Sequence, residues 1–403
     1  MFKSLSLKVI IFGFIFTFFS SFGQSFFLGI FNPSIRNELS ITHGQFGSIY
    51  ASATLASSFL LIWVGKKIDD IDISKFAFFV ILLLAFSCFF FSKISSISLL
   101  FIAIFLMRFS GQGMMSHTAT TTISRYFTKS RGKALSTGWF GLSAAEFILP
   151  VLMIYLLSIT GWKNIWIIIS IIVLIFLPLT SFILVKNLNF DSREETKDST
   201  ISESNFKQWK RAEVIKDYRF YIICANMLAM PSIATGSFVY QSFILSSKSW
   251  GPYIIAQSFM SYSIFSVVTL IFSGFLIDKF TSRKILIYMN IPLFFASMVL
   301  FYFDKPFSSF VFFGLIGITN GLCNVLGSST WAEIYGVKYI GSIKALTTAL
   351  MVFATAFGTA IFGILIDKGF SIDQISLVSA TYISVSIISL FFIRKDLNPI
   401  KIA

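Results

Sequence analysis

Long apolar segments follow one another along the whole chain, separated by polar connections. An α-helix needs about 20 apolar residues to cross the hydrocarbon core of a membrane, and twelve segments reach or approach that length. The segments lack the two-residue alternation of a membrane β-barrel strand, so each is predicted to be a helix. The predicted spans are approximately 5–31, 44–64, 76–92, 97–123, 134–157, 163–185, 220–246, 252–277, 285–303, 307–331, 345–366 and 374–393.

The second half of the chain repeats the first. The segment Gly65–Asp69 (GKKID) recurs as Gly274–Asp278 (GFLID), 209 positions later, and the same shift carries Gly132 onto Gly341. The predicted fold class is an all-α integral membrane protein with 12 transmembrane helices, arranged as two six-helix pseudo-symmetric halves around a central cavity. Duplicated bundles of this kind commonly bind a small solute between their halves, so the repeat points to transport. The predicted domains are 1–186, a linker loop at 187–219, and 220–403. Within the linker, Phe206 through Lys216 is hypothesised to form a short amphipathic surface helix.

Composition and charge agree with a membrane location. The chain is 56% hydrophobic and only 12% charged, and its mean hydropathy is +0.82, far above that of a soluble domain. If both termini face the same side, 25 of the 32 lysines and arginines lie on that side and six on the other. The positive-inside rule then predicts cytoplasmic termini and a place in the inner membrane. We attribute the net charge of +14 to the membrane topology and to basic residues that face the lipid surface, and not to nucleic-acid binding.

The sequence carries no motif for enzymatic chemistry. Its three cysteines, Cys88, Cys224 and Cys323, fall on separate predicted spans and lack metal-ligand spacing. No Ser/His/Asp or Cys/His arrangement and no Walker-type phosphate loop is present. We therefore predict a protein that is not an enzyme and needs no metal or cofactor. We expect a monomer in the lipid bilayer, with a small-molecule solute as its partner.

Six spans plus six, with a glycine and an aspartate four residues later after the second span of each half, resemble the major facilitator superfamily. That resemblance implies transport by alternating access. It also implies that the connections after spans 2 and 8 form a conformational latch, made by Gly65, Asp69, Gly274, Asp278, Arg283 and Lys284. The chain departs from the family pattern at Thr281, where a glycine is usual, and at Asp70 and Asp72 in the first copy.

Four further stretches are similar to the monocarboxylate-transporter-like branch of this superfamily. They are ELSITHGQFG (38–47) before span 2, MRFSGQGMM (107–115) in span 4, RGKAL (131–135) at the start of span 5 and WAEIYG (331–336) after span 10. Resemblance to this branch implies a small organic anion as the solute.

Two charged residues lie near the middle of predicted spans. Arg108 in span 4 and Glu146 in span 5 each cost about 2.5–3.5 kcal/mol at that depth. Each lies about 14 residues, or about 21 Å, from the cytoplasmic end of its helix, so the two are expected at matching depth. In one interpretation they neutralise each other and hold spans 4 and 5 together. In the other, Arg108 binds a carboxylate of the solute, and the released Glu146 takes up a proton.

Uncharged polar residues are further candidates for the solute site. Asn and Gln in membrane helices also form hydrogen bonds between helices, worth about 0.6 kcal/mol each, so both interpretations stay open. Gln112 lies one turn inward of Arg108 on the same helix face. The remaining candidates are Gln24, Asn320 and Asn324, with weaker signals from Tyr240, Gln241, Gln257 and Tyr262.

Histidine titrates near neutral pH, so the two histidines of the chain are possible proton relays. His117 lies between two and three turns inward of Arg108, and His43 precedes span 2. The alternative for both is a packed or headgroup-level side chain.

The predicted function is secondary active transport of a small solute, an organic anion of the monocarboxylate kind coupled to protons, by alternating access. Two alternatives stay open: efflux of amphipathic compounds, and a non-transporting membrane sensor of the same fold. A central arginine disfavours cation export, and the short tails disfavour a sensor. The sequence does not identify the solute or the direction of transport.

Overall fold

The computed structural model describes residues 4–127, 131–185 and 206–400, and these contain helices and no β-strand. Twelve of the helical stretches are long and apolar enough to span a membrane, which confirms the predicted all-α multi-pass membrane fold. The helices before the linker are α1 (Ser4–Ser20), α2 (Ser25–Leu39), α3 (His43–Val64), α4 (Ile73–Phe91), α5 (Ile97–Met107), α6 (Ser116–Tyr126), α7 (Arg131–Ile159) and α8 (Trp162–Val185). Those after it are α9 (Arg211–Val214), α10 (Tyr218–Met227), α11 (Ala229–Val239), α12 (Gln241–Ser247), α13 (Ile254–Phe280), α14 (Ser282–Leu286), α15 (Ile291–Tyr302), α16 (Phe307–Tyr335), α17 (Ile340–Asp367) and α18 (Ile372–Phe392).

The chain divides into two compact units. The first contains Met1–Glu194 together with Phe238–Ser242 and Thr359–Asp367, and the second contains Glu195–Ser237, Phe243–Gly358 and Lys368–Ala403. Two short pieces from the second half of the sequence therefore belong to the first unit. Residues 187–205 of the predicted linker lie outside the described residues.

Span 1 is not a continuous helix. After α1, residues Ser21–Gly23 form a 3-10 turn, and Gln24 is extended, with φ −83° and ψ 154°. The Gln24 N–H donates to Ser21 O at 2.9 Å, and α2 starts again at the next residue. Such an interruption frees backbone groups inside a membrane span, where they need partners from other helices.

Span 4 is interrupted in a different way. Between α5 and α6 the residues Arg108–Met115 form a π-helical segment. A π-helical segment inserts extra residues into an α-helix and is found frequently at functional sites. The residues before and after it are ordinary α-helix, so the irregularity is confined to the stretch around Arg108.

In the second unit, one lysine joins two connections to the start of a helix. The Lys248 side chain is 2% exposed, and its Nζ lies 2.5 Å from Asp304 Oδ1 and 2.7 Å from Asp373 Oδ1. Burial lowers the pKa of Lys248, but the hydrogen bonds and charges of the two aspartates outweigh burial and raise the pKa above its usual value. The Trp250 indole N–H also donates to Asp304 O at 2.6 Å. The connections after α12 and α15 are therefore tied to the start of α18.

The end of the linker differs from the amphipathic surface helix that Phe206 through Lys216 was expected to form. Only the four residues of α9 are helical there. The Lys207 N–H donates to Ile400 O at 2.9 Å and the Trp209 N–H to Tyr335 O at 3.0 Å. These bonds join the end of the linker to residues far along the chain, and Lys210, just before α9, is extended.

Candidate functional site

The interrupted stretches of spans 1 and 4 pack directly on each other in the first unit. A Cβ atom added to Gly23 would lie 2.3 Å from Met107 O and 2.4 Å from Gln112 N. A Cβ on Gly111 would lie 2.7 Å from Gly23 N. Contacts this short leave no room for a side chain on either residue. Two glycines therefore bring the broken backbone of span 1 against the π-helical segment of span 4.

Arg108 satisfies the backbone that the break exposes. Its side chain is buried, with 3% of the residue exposed. Its Nη1 donates to Gly23 O at 3.1 Å and to Ser25 Oγ at 3.3 Å. The guanidinium carbon lies 5.4 Å from the centre of the Tyr50 ring, and the Tyr50 hydroxyl donates to Ser25 Oγ at 3.0 Å. Gly23, Ser25 and Tyr50 thus hold one side of the guanidinium in a fixed orientation.

The other side of the guanidinium has no protein partner among the described residues. Arg108 Nε is buried without a hydrogen bond, and none of the hydrogen bonds made by Arg108 uses Nη2. Nε and Nη2 form the edge of arginine that binds both oxygens of a carboxylate in parallel. An unsatisfied buried donor is costly, and one that belongs to a cation is more costly still. Arg108 Nε is therefore a buried donor that the described part of the chain leaves unsatisfied.

Glu146 lies on α7, which packs against α1 in the same unit. It is 8% exposed. No ion pair joins Arg108 to Glu146, and no hydrogen bond to the Glu146 carboxylate is seen in the described part of the chain. The neutralising pair suggested by their matching depth is thus not formed in this structure. Among the described residues neither charge has a counter-ion, and both lie in the first unit.

The other sequence candidates divide between the two units. Gln24 sits at the break of span 1 and Gln112 in the π-helical segment, and both are half-buried. Asn320 of α16 donates to Ser266 Oγ on α13 at 2.7 Å, which is a bond between helices of the second unit. Asn324, one turn further along α16, is exposed. The structure therefore groups Gln24 and Gln112 with Arg108 but places the two asparagines in the other unit.

The weaker candidates Tyr240 and Gln241 have structural partners in the first unit. The Tyr240 hydroxyl donates to His43 O at 2.8 Å, and Gln241 Nε2 donates to Phe26 O at 2.9 Å. The N–H groups of His43 and Gly44, at the start of α3, donate to the Asp367 carboxylate at 3.0 and 2.8 Å. Gln257 is exposed and Tyr262 is buried, both on α13 of the second unit.

The connection after span 2 is held by donors from span 4. His117 Nε2 lies 2.9 Å from Gly65 O, and Arg125 Nη1 donates to Ile68 O at 3.0 Å. His117 therefore contacts the predicted latch and not the Arg108 site. Gly65 begins the 3-10 turn of this connection. The side chain of Asp69 lies outside the described residues.

The connection after span 8 is held by an acceptor from span 10. The Glu333 carboxylate accepts the N–H and hydroxyl of Ser282, the N–H of Arg283 at 3.3 Å and Arg283 Nε at 3.1 Å. Among the predicted latch residues here, Gly274 has open space around it and Lys284 is exposed, while the side chain of Asp278 lies outside the described residues. Glu333 belongs to the WAEIYG stretch (331–336). The sequence analysis did not predict that this stretch contacts the connection after span 8.

Sequence reasoning also missed Gly23, Ser25 and Tyr50. The available signal was the sequence GQS (23–25) inside an otherwise apolar span, together with a tyrosine one span later. Within the described residues, no group of three or more His, Cys, Asp or Glu side chains is placed to hold a metal ion.

Comparison with known proteins identifies the family. Residues 13–363 match the model of the Major Facilitator Superfamily, and the chain belongs to this superfamily. The fold is similar to a bacterial homologue of the human lysosomal transporter Spinster, in an inward-facing and occupied conformation (TM-score 0.74, 12% identity, 98% of each chain covered). It is also similar to the nucleoside transporter NupG (TM-score 0.72, 14% identity, 98% of this chain and 99% of that one). No curated protein sequence matches the chain.

Proposed function

We propose that this protein is a secondary active transporter that moves a small organic anion of the monocarboxylate kind across the inner membrane, together with a proton, by alternating access. Membership of the superfamily supports transport of a small solute. The positive-inside count supports cytoplasmic termini. The resemblance of four sequence stretches to the monocarboxylate-transporter-like branch supports an anionic solute.

The observation that carries the proposal is the open Nε–Nη2 edge of Arg108. A cation buried in a membrane span is retained at a cost of several kcal/mol and marks a functional site by default. Here the protein fixes the Nη1 side through Gly23 and Ser25 and leaves unsatisfied the edge that fits a carboxylate. Gln24 and Gln112, which lie at the same junction and are half-buried, are proposed to donate further hydrogen bonds to the bound solute.

Glu146 is the proposed proton carrier. An ionised carboxylate without a partner is unfavourable at this depth, so a proton that neutralises it lowers the free energy. The carboxylate of the solute would compensate Arg108, and the proton would compensate Glu146. Solute and proton would then cross together, because each removes one uncompensated charge. In the second unit, Asn320 and Asn324 are proposed to contribute weaker solute contacts.

Uptake into proteoliposomes tests this assignment. The solutes should include short monocarboxylates, amphipathic cations and nucleosides, the last because the similar NupG structure is that of a nucleoside transporter. We expect monocarboxylate uptake driven by an inward proton gradient, and its loss in Arg108→Ala. Arg108→Lys keeps the charge but loses the bidentate edge, so affinity should fall about 10- to 100-fold.

Two matched carboxyl variants separate the proton role from folding. Glu146→Gln should still bind the monocarboxylate but lose the dependence on the proton gradient, whereas Glu38→Gln, near the end of span 1, should leave that dependence intact. Monocarboxylate uptake that survives in both Arg108→Ala and Glu146→Gln would refute the assignment. Transport of amphipathic cations alone would favour the efflux alternative.

A further inference from the structure

Four sulfur-containing residues line one small cavity in the second unit. They come from three spans: Cys224 and Met227 from α10, Cys323 from α16, and Met351 from α17. The cavity has a volume of about 10 Å³, which is room for about one water molecule. Residues that share a cavity of this size surround a single point. The four residues therefore converge on a space that one ion can fill.

Sulfur is strongly enriched in the wall of this cavity. The chain has 3 Cys and 11 Met among its 403 residues, whereas four of the nine residues that line the cavity are Cys or Met. The other five are Leu228, Gly327, Trp331, Thr347 and Leu350. None of them is charged, and the one hydroxyl, Thr347 Oγ1, is already used, because it donates to Lys344 O at 3.1 Å. Sulfur therefore dominates the donor groups of this wall.

The kind of sulfur present favours a soft metal ion. Both cysteines are free thiols and are buried, with 7% of Cys224 and 5% of Cys323 exposed. Thiolate and thioether groups are soft ligands of the kind that Cu(I) prefers. Zn²⁺ is usually held by cysteine together with histidine or carboxylate, or by more than two cysteines, and this wall offers no histidine or carboxylate. The ligand set therefore fits Cu(I) better than Zn²⁺ or a hard cation.

The charge balance inside a membrane span also favours a monovalent ion. A thiol must lose its proton to bind a metal, so Cu(I) displaces one thiol proton, which passes to the solvent. One positive charge replaces another, and the thioethers and the second thiol stay neutral. The net charge of the buried site is therefore unchanged. A divalent ion would have to displace both thiol protons or leave an uncompensated charge, which is costly at this depth.

The structure gives an ion a way into the cavity. Met351 is 37% exposed, so one of the four sulfur-containing residues connects the cavity wall with the surface. Gly327 also lines the cavity, and a Cβ added there would meet no atom within 4 Å, so α16 leaves this space open. Methionine is unbranched and flexible, which lets its thioether turn towards an ion.

We propose that Cys224, Cys323, Met227 and Met351 form a binding site for one Cu(I) ion, which joins spans 7, 10 and 11 of the second unit. The site lies within one unit and is independent of Arg108 and of the solute. The spacing of the cysteines along the chain gives no sign of it, because the four ligands come from three spans and two of them are methionines.

The test is Cu(I) binding to the full, untagged chain in lipid nanodiscs under reducing and oxygen-free conditions. Empty nanodiscs are the blank, and the chelator bathocuproine disulfonate is the competitor. The wild type should bind one Cu(I) per chain. Loss of a group that only supports a metal ligand costs about 10- to 100-fold in affinity, so Cys224→Ser and Cys323→Ser, which lose a ligand itself, should each weaken binding about 100-fold or more. Cys88→Ser removes the third buried thiol, in span 3, and should bind Cu(I) as the wild type does.

Methionine variants keep the test decisive if a cysteine variant does not fold. Met227→Leu combined with Met351→Leu nearly preserves side-chain volume and removes only the sulfur, so this double variant should fold and bind Cu(I) about 10-fold or more weakly. Met260→Leu on α13, a residue that does not line the cavity, is the matched control. X-ray absorption of copper bound to the wild type should show sulfur neighbours only.

Several results would overturn the copper site. They are no Cu(I) binding by the wild type, equal affinity in the wild type and in the variant that lacks both Cys224 and Cys323, and nitrogen or oxygen ligands in the absorption spectrum. Displacement of Cu(I) by added Zn²⁺ would overturn the assignment to a monovalent ion. None of these results bears on the proposed transport function, because monocarboxylate uptake is measured without copper.

Discussion

Span 4 of the first unit and span 10 of the second occupy equivalent places in the sequence repeat, since Tyr126 and Tyr335 end them 209 positions apart. Span 4 is interrupted by its π-helical segment and carries Arg108. At the equivalent position, span 10 is a continuous helix and carries Gly317, which packs on the backbone of α13. One copy of the helix therefore provides a charged site, and the other provides close helix packing.

The two copies also differ in the hydrogen-bonding groups that spans 4 and 10 supply to the connections after spans 2 and 8. In the first unit, span 4 supplies donors, His117 and Arg125, to carbonyl groups of the connection after span 2. In the second unit, span 10 supplies an acceptor, Glu333, to amide groups of the connection after span 8. The repeat thus preserves the positions of helices and connections, while the chemistry that secures them reverses between the copies.

The largest effect is expected where span 10 depends on the absence of a side chain. Gly317→Leu would place a Cβ 2.4 Å from Tyr262 O, a backbone atom that can move only with its helix. We expect a destabilisation of about 3 kcal/mol or more, seen as a large drop in the thermal unfolding temperature in detergent. Gly327→Ala on the same helix has open space around it and should be neutral or slightly stabilising. Equal stability of the two variants would contradict the close-packing role of span 10.

An intermediate effect is expected at the connection after span 8. Glu333→Ala removes the acceptor of two backbone amides and the partner of Arg283, so we expect a loss of about 2 kcal/mol. Arg125→Ala, which removes the donor to Ile68 O in the first unit, should cost about 1 kcal/mol. Hydrogen exchange of the two connections should show each variant loosening its own connection only. Loosening of both by either variant would mean that the two are not secured independently.

The smallest effect is expected at equivalent positions, Thr281 and Asp72, where the two copies have different backbone conformations. Thr281 has φ 69° and ψ 146°, a conformation that costs a non-glycine residue of order 1 kcal/mol or more. Its hydroxyl is also buried without a partner. Thr281→Gly should therefore stabilise the protein by about 1 kcal/mol.

The residue equivalent to Thr281 in the first copy is Asp72, which has φ −53° and caps α4 by accepting the N–H groups of Ser74 and Lys75. Asp72→Gly should destabilise by about 1 kcal/mol, because an N-cap is lost. Thermal unfolding of both variants should show shifts of opposite sign. Shifts in the same direction would disprove the contrast between the two connections.

The spans were predictable because a polar backbone is costly in lipid unless it is hydrogen-bonded within a helix, and a helix needs about 20 apolar residues to cross the membrane. The interruptions of spans 1 and 4 were not predictable from the sequence. The backbone groups that an interruption leaves without a helical partner are satisfied by residues far away in the chain. Gly23 O, freed by the break, is satisfied by Arg108, 85 positions later. The linker segment 206–216 was expected to be a surface helix, but only Arg211–Val214 is helical. Its residues before α9 bond to Ile400 and Tyr335, which lie far away in the sequence.

Counting residues along spans 4 and 5 gave the depth of Arg108 and Glu146, but depth does not fix the direction in which a side chain points. The rotation of each helix about its axis decides that direction, and the π-helical segment that begins at Arg108 changes it further. This is why matching depth suggested an ion pair that the structure does not form. The sequence alone determined the family resemblance, the spans and the presence of two charged residues within the spans. Only the tertiary structure decided which edge of Arg108 is open, because Gly23, Ser25 and Tyr50 meet it through packing between helices.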